Sequence, residues 1–171
     1  MRAHQLHEQP ERPRPRLQRP GASGYSAYEI DDDGGQADPC ASLIAVTYAL
    51  SNEPLAIWRN IDALFAIDPS LWSAVLENLL TDDDSHVSKC CDFMTYVDPI
   101  DGRMHLVQRD ANDTFSAPNC AFDRNFSASN KPVLSRLLSV PELRQRYLAH
   151  YRTVLADLDW DVLGPLFEQQ R

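Results

Sequence analysis

The chain has 171 residues with 16 basic and 25 acidic side chains, a formal net charge of −9, and is long enough for one domain with a packed core. A hydrophobic share of 43% with three tryptophans is that of a globular protein and excludes disorder throughout. An acidic body repels nucleic-acid backbones, and no run approaches the roughly 18 apolar residues of a membrane span, so neither is an expected partner.

The first twenty residues hold five arginines against two glutamates, so the rest is more acidic than the total. Met1 to Pro20 has charge but no apolar core. It does not read as a secretory signal, and a cytoplasmic protein is expected. The run Glu8-Gln9-Pro10-Glu11-Arg12-Pro13-Arg14-Pro15-Arg16 has neither helical nor strand period, so residues 1–23 read as a disordered Pro/Arg-rich leader. Tyr25–Ile30 suits a short edge strand, closed by the turn-like Asp31-Asp32-Asp33-Gly34-Gly35.

Asp38-Pro39 opens a helix, an acid at the N-cap followed by proline at the first position. Leu43, Val46, Thr47 and Leu50 line one face, and Asn52 with Pro54 ends it. A helical turn follows over Leu55–Asn60. Asp68-Pro69 repeats the start signal for Ser70–Leu80. There Leu71, Val75, Leu79 and Trp72, Leu76, Leu80 make two adjoining apolar stripes, predicting a helix buried over much of its girth.

Asp82-Asp83-Asp84-Ser85 breaks that pattern. Cys91–Val97 favours a strand, Asp98-Pro99-Ile100-Asp101-Gly102 a turn, and Met104–Gln108 a second strand, giving a β-hairpin. Beyond an irregular stretch, Ser139-Val140-Pro141-Glu142 has the form of a capping box. Leu143, Tyr147, Leu148, Tyr151, Val154, Leu155 and Leu158 then recur at helical spacing. A last helix from Asp159-Trp160 is expected to bend or break at Gly164-Pro165. The four cysteines, Cys40, Cys90, Cys91 and Cys120, contain no C-x-x-C and read as reduced, buried or half-buried thiols.

The two open ends of a hairpin lie about one strand spacing apart. Asp82, Asp83, Asp84, His86, Lys89 and Asp92 before it therefore meet Asp110-Ala111-Asn112-Asp113-Thr114-Phe115 after it. Packed carboxylates call for a cation, and oxygen-only ligands at Asp110 and Asn112 favour Mg²⁺, Mn²⁺ or Ca²⁺. Asp110-x-Asn112-x-Thr114 copies the opening of an EF-hand loop. Phe115 and Ala121 then stand where that loop needs glycine and glutamate, which excludes it. Asp82 and Asp83 read as helix caps and solvated loop acids.

The segment Cys91–Pro99, Gly102–Leu106 and Arg109-Asp110-Ala111-Asn112-Asp113-Thr114-Phe115 resembles the CotH family, atypical protein kinases named for a spore coat protein. The likeness extends upstream to Tyr28-Glu29-Ile30 and Ala41–Asn52, and downstream to Lys131–Leu148. It implies an α+β fold: the mainly helical C-terminal lobe of an atypical kinase, with a short hairpin at the metal site. On this likeness 24–171 is the C-terminal portion of the kinase domain, the N-terminal nucleotide lobe being absent. The implied reaction moves a phosphoryl group from ATP to Ser or Thr of a protein substrate. Asp110 and Asn112 would bind Mg²⁺ or Mn²⁺, Asp110 and Asp84 would be catalytic (Asp84 as base or metal partner), and Lys89 and Asn112 would meet the nucleotide.

The pattern departs from the family at Met94, Ser116, His86, Val87 and Cys90-Cys91, and no lysine precedes Lys89. A truncated copy is therefore expected, with a partner chain supplying the missing lobe. The alternatives are a non-catalytic pseudokinase-like binding module or a helical interaction domain.

Overall fold

The computed structural model describes residues 6–8, 28–35, 37–117 and 119–169. It is an α+β chain with two two-stranded antiparallel sheets, the larger a hairpin packed against the helices Ile67–Leu79 and Ala41–Asn52. Strand β1 (Leu6–Glu8) pairs antiparallel with β2 (Tyr28–Ile30), Leu6 opposite Ile30 and Glu8 opposite Tyr28. Three residues of the stretch read as a leader are thus a strand. The remainder of that stretch, and 25–27 of the predicted edge strand, lie outside the described residues.

Helix α1 (Ala41–Asn52) starts two residues after Pro39. The N-cap is Cys40, without a side-chain cap, rather than the expected Asp38; Asp38 makes a turn just ahead of the helix, its Oδ1 accepting the Cys40 amide at 3.1 Å and its carbonyl the Ala41 amide at 3.2 Å. Leu43, Val46, Ala49 and Leu50 are its buried face. A 3-10 turn, Leu55–Ile57, and the short helix α2 (Arg59–Asp62) follow. Helix α3 (Ile67–Leu79) begins before Asp68-Pro69 because the Asp62 carboxylate accepts the Ile67 amide at 3.1 Å.

Strands β3 (Phe93–Val97) and β4 (Met104–Gln108) form the predicted hairpin, with Phe93 opposite Gln108 and Val97 opposite Met104. Gly102 closes the turn at φ +72°, its amide donating to Asp98 O at 2.8 Å, a conformation that favours glycine. Residues 64–66 line the outer edge of β4: Met104 N donates to Leu64 O at 2.8 Å and Ala66 N to Met104 O at 2.9 Å. This fixes the hairpin to the start of α3.

The short helix α4 (Pro132–Ser135) and a 3-10 turn, Leu137–Ser139, lead into α5 (Pro141–Asp157), which packs along α3. Leu71, Ile61, Ile67, Val75, Leu134, Leu137, Leu143 and Tyr147 are the innermost apolar side chains.

Four local expectations are corrected. On α3, Leu76 is 40% exposed, whereas Ser70, Glu77 and Asn78 are buried. Ser70 donates to Ala66 O at the helix N-cap at 2.8 Å, Glu77 accepts from Ser73 and Val87, and Asn78 Nδ2 reaches outside α3 to Phe122 O at 2.7 Å and Tyr147 Oη at 3.0 Å. No capping box forms at α5: Val140 is the N-cap, and the Ser139 hydroxyl donates back to Arg136 O at 2.6 Å within the 3-10 turn. Glu142 instead pairs with Arg146 at 3.0 Å. Leu155 is 50% exposed, so the apolar spacing of α5 outlasts its buried face.

Helix α6 (Trp160–Glu168) runs through Pro165. The amide that proline lacks would have bonded the carbonyl of Asp161 in the first turn, an exposed residue, so little is lost there. Among the described residues no helix is long and apolar enough to cross a membrane.

Candidate functional site

Helix α3 ends in Thr81 at φ +49°, and the acidic loop after it folds on its own carbonyls. Asp82 N donates to Glu77 O at 3.0 Å and Cys90 N to Ser85 O at 2.8 Å. The amides of Cys91 and Asp92 both donate to Asp84 O at 2.9 Å. Asp82 is no solvated loop acid: it is fully buried, and its carboxylate accepts the Asp84 amide at 3.2 Å and the side-chain amide of Gln108. It fastens the loop to the last residue of β4.

The two ends of the hairpin do meet. Arg109 N donates to Asp92 O at 3.3 Å, Asp83 N to Asp113 O at 3.2 Å, and Ser116 N to Thr81 O at 3.3 Å. Lys89 Nζ lies 2.7 Å from Asp83 Oδ2 and 2.9 Å from Asp84 Oδ1. Arg124, from the irregular stretch, reaches Asp83 at 3.0 Å. Hydrogen bonds from Lys89, Arg124 and Ser88 hold the Asp83 carboxyl down at about 2, and its partner carboxylates hold Lys89 protonated. Asp83 is thus ion-paired rather than simply solvated.

The carboxylate facing Asp84 is Asp113. A hydrogen bond between these two side chains, with the charge on Asp84, raises the Asp113 carboxyl. Like charges in contact do this because only one of them ionises easily.

The predicted metal residue Asp110 is exposed at φ +51°, its Oδ1 accepting the Asn112 amide at 3.3 Å. Asn112 is exposed beside it. The structure therefore joins Asp84 with Lys89 and Asp113, and sets Asp110 and Asn112 on the outer rim. Phe115, at φ +59° and 59% exposed, makes the same loop turn where glycine is ordinarily used. Of these two left-handed residues, Asp110 is of a type that tolerates the conformation, while the bulky Phe115 costs about 1–2 kcal/mol there. Bonds from the Phe115 and Ser116 amides to Leu80 O and Thr81 O anchor the second of them.

At the far end of the hairpin, Asp98, Asp101 and His105 place one ligand atom each within 4.8 Å of one another, the one such trio among the described residues. Asp101 is already engaged by the Arg103 guanidinium, at 2.9 Å through Nε and 2.8 Å through Nη2, so the pair neutralises itself. The sequence signal for this trio was the turn itself, read only as a turn.

A third group escaped the sequence altogether, since nothing in residue spacing brings it together. Glu77 has no exposed surface; Ser73 Oγ donates to it at 3.0 Å and Val87 N at 3.2 Å. Burial pushes its carboxyl up to about 7, the Asp82 charge adding to the rise while those hydrogen bonds and Lys131 oppose it. Lys131, 4% exposed, donates to His86 O at 2.9 Å and contacts Cys90 Sγ at 2.7 Å. All four cysteines are free thiols, two buried and two half-buried, as expected.

Comparison with family models, curated proteins and solved structures finds no match to this chain.

Proposed function

We propose that the hairpin mouth binds a divalent cation with nucleotide phosphates, in a CotH-type kinase-like phosphotransferase acting on Ser or Thr of a protein. The observation that carries this reading is the convergence of acids at the hairpin mouth: Lys89 lies 2.7 Å from Asp83 and 2.9 Å from Asp84, and the Asp83 amide donates to Asp113 O at 3.2 Å. A like-charge pair beside a cation and an exposed acid is a place where added positive charge is stabilising.

The donor set fits the group: it is all oxygen, and Mg²⁺ typically takes one or two protein carboxylates plus phosphate oxygens and water. Asp113, with Asp110 and Asn112 on the rim, would hold Mg²⁺ or Mn²⁺. The bound ion would supply charge stabilisation to the phosphate oxygens of ATP. Asp84 would orient the acceptor hydroxyl and take its proton. Its backbone position is fixed by two amides donating to its carbonyl, the pre-organisation such a role needs. Lys89, with 55% of its side chain exposed, can leave Asp83 for a phosphate at small desolvation cost. A partner chain supplying a nucleotide-covering lobe belongs to the same reading.

A second reading, a non-catalytic binding module, is favoured by the exposed Trp160, Val162 and Leu166 on α6, apolar side chains of the kind that mark partner surfaces.

The test is a thermal melt with Mg²⁺ or Mn²⁺ and ATP on the wild-type chain, Asp84→Asn and Asp110→Ala. A ligand at 100 times its Kd raises stability by about 2.7 kcal/mol. The expected result is a metal-dependent ATP shift that Asp84→Asn removes and Asp110→Ala weakens. Three well-folded proteins without any shift would overturn the nucleotide site and leave the binding module.

A further inference from the structure

We infer that Cys90 and Lys131 form a peroxide-sensitive cross-linking site, in which oxidation joins the Cys90 sulfur to the Lys131 side-chain nitrogen. The inference stands independently of the reading of the hairpin mouth.

The two atoms are already in contact. Sγ and Nζ are 2.7 Å apart, and both donate to the same carbonyl, His86 O, each at 2.9 Å. The residues are 5% and 4% exposed, so the contact is shielded from bulk solvent. Their backbones are fixed as well. Cys90 sits at φ +59° with its amide on Ser85 O at 2.8 Å, and Lys131 starts α4, its carbonyl accepting the Ser135 amide at 2.8 Å. The thiol proton held on His86 O must leave before attack, and the ammonium beside the sulfur would stabilise the thiolate so formed, the form that attacks peroxides.

A second feature points to a small polar visitor. Cys90 lines a half-open cavity of about 130 Å³, shared with Thr95, Phe93, Leu106, Leu43 and Val133. Thr95, 5% exposed, also lines it, and its buried hydroxyl has no hydrogen-bond partner. A buried hydroxyl left without a partner is costly, and the cavity is roomy enough for a molecule little larger than water. Hydrogen peroxide, or the end of an organic hydroperoxide, would satisfy Thr95 within reach of the thiolate.

The chemistry balances in two steps. The thiolate attacks one peroxide oxygen: an S–O bond forms, the O–O bond breaks, and the departing hydroxide takes a proton from the lysine ammonium to leave as water. The sulfur is oxidised to sulfenic acid and the peroxide is reduced. The freed amine then attacks that sulfur: an S–N bond forms, the S–O bond breaks, and a second water leaves carrying one amine proton. Condensation of a sulfenic acid with nitrogen is an established rung of cysteine oxidation. Cys120 has the Arg124 guanidinium at 3.7 Å, and in Cys40 burial and Asp38 raise the thiol, which disfavours its thiolate.

The experiment treats the full chain with hydrogen peroxide, blocks remaining thiols by alkylation, and maps peptides by mass spectrometry. The expected product is a Cys90 peptide joined to a Lys131 peptide, lighter by two hydrogens and released by dithiothreitol. In Lys131→Met the joined peptide should be absent and Cys90 should react with peroxide more slowly than in the wild type, any oxidised fraction being trapped as sulfenic acid by dimedone. The wild-type product should also melt at a higher temperature, because the bond ties the loop before β3 to α4. Cys90 fully alkylated after treatment, or oxidised with Lys131 unmodified, overturns the inference, as does a disulfide from Cys90 to another cysteine. Because the wild-type map decides the matter, an unfolded Lys131→Met does not blunt the test.

Discussion

Glu77 shows how a single buried side chain sets a pH response. Folding holds its proton up to about 7, whereas the unfolded chain releases it near 4.5. Folding therefore takes up a proton between those values, and stability falls as pH rises through the window, by an amount on the order of 3 kcal/mol. Glu77→Gln keeps both hydrogen-bond partners, with its carbonyl toward Val87 N and its amide toward Ser73 Oγ. Melts of wild type and Glu77→Gln are expected to converge near pH 5, with the wild type falling below the variant by pH 8. Parallel melting curves across that range would refute the assignment. Asp83 has the opposite sign. Its carboxyl is lowered from 3.8 to about 2, so its contribution is complete above 3.8 and is lost as pH falls through 2. Glu77 lies near the end of α3 and Asp83 in the loop that follows, and the sequence showed only that this stretch was acidic. Burial kept the proton on Glu77 against the hydrogen bonds from Ser73 and Val87, whereas Lys89 and Arg124 drew it off Asp83.

At the scale of elements, Arg136 does for α1 what no residue of α1 does. The last turn of that helix has no basic residue, and the Arg136 guanidinium donates to Leu50 O and, at 2.7 Å, to Glu53 O. Cations at a helix C-terminus satisfy its last carbonyls and oppose its dipole. Arg136→Ala is expected to cost about 1–3 kcal/mol in urea unfolding, with Arg136→Lys recovering part of it; a loss within a few tenths would show that water replaces the guanidinium. Between α3 and α5 the tie is polar. Asn78 and Phe122 O both bond Tyr147 Oη at 3.0 Å, and burial raises that phenol. Tyr147→Phe removes both bonds and leaves the ring contact with Phe126 at 5.2 Å, so a loss of about 1–2 kcal/mol is expected. Neither tie was legible beforehand. Arg136 is more than eighty residues from its acceptors in sequence, and an asparagine inside an apolar stripe reads as an exposed position.

Across the whole molecule, stability is unevenly distributed. The innermost apolar side chains belong mainly to α2, α3, α4, the 3-10 turn after it and the first half of α5, whereas α6 exposes Trp160 at 63% and Val162 at 58%. Hydrogen exchange follows burial and local opening. Amides of Leu71–Val75 and Thr95 are expected to exchange slowest, and those of α6 fastest after the described loops. Protection of α6 equal to that of α3 would mean that a partner or a second copy covers it.

What the sequence determined by itself was local. The hairpin boundaries at Met104–Gln108, the starts near Asp38 and Pro141, the free state of the thiols and the meeting of the Asp82–Lys89 loop with Asp110–Phe115 all follow from periodicity, turn chemistry and the geometry of paired strands. Tertiary structure decided which members of each set touch. Asp113, not Asp110, faces Asp84; Asp82 is buried under Gln108; Lys131 lies on Cys90. Residue type tells what a side chain can bond. Burial and distance, set by elements far apart in the chain, determine which bond it makes and whether it stays charged.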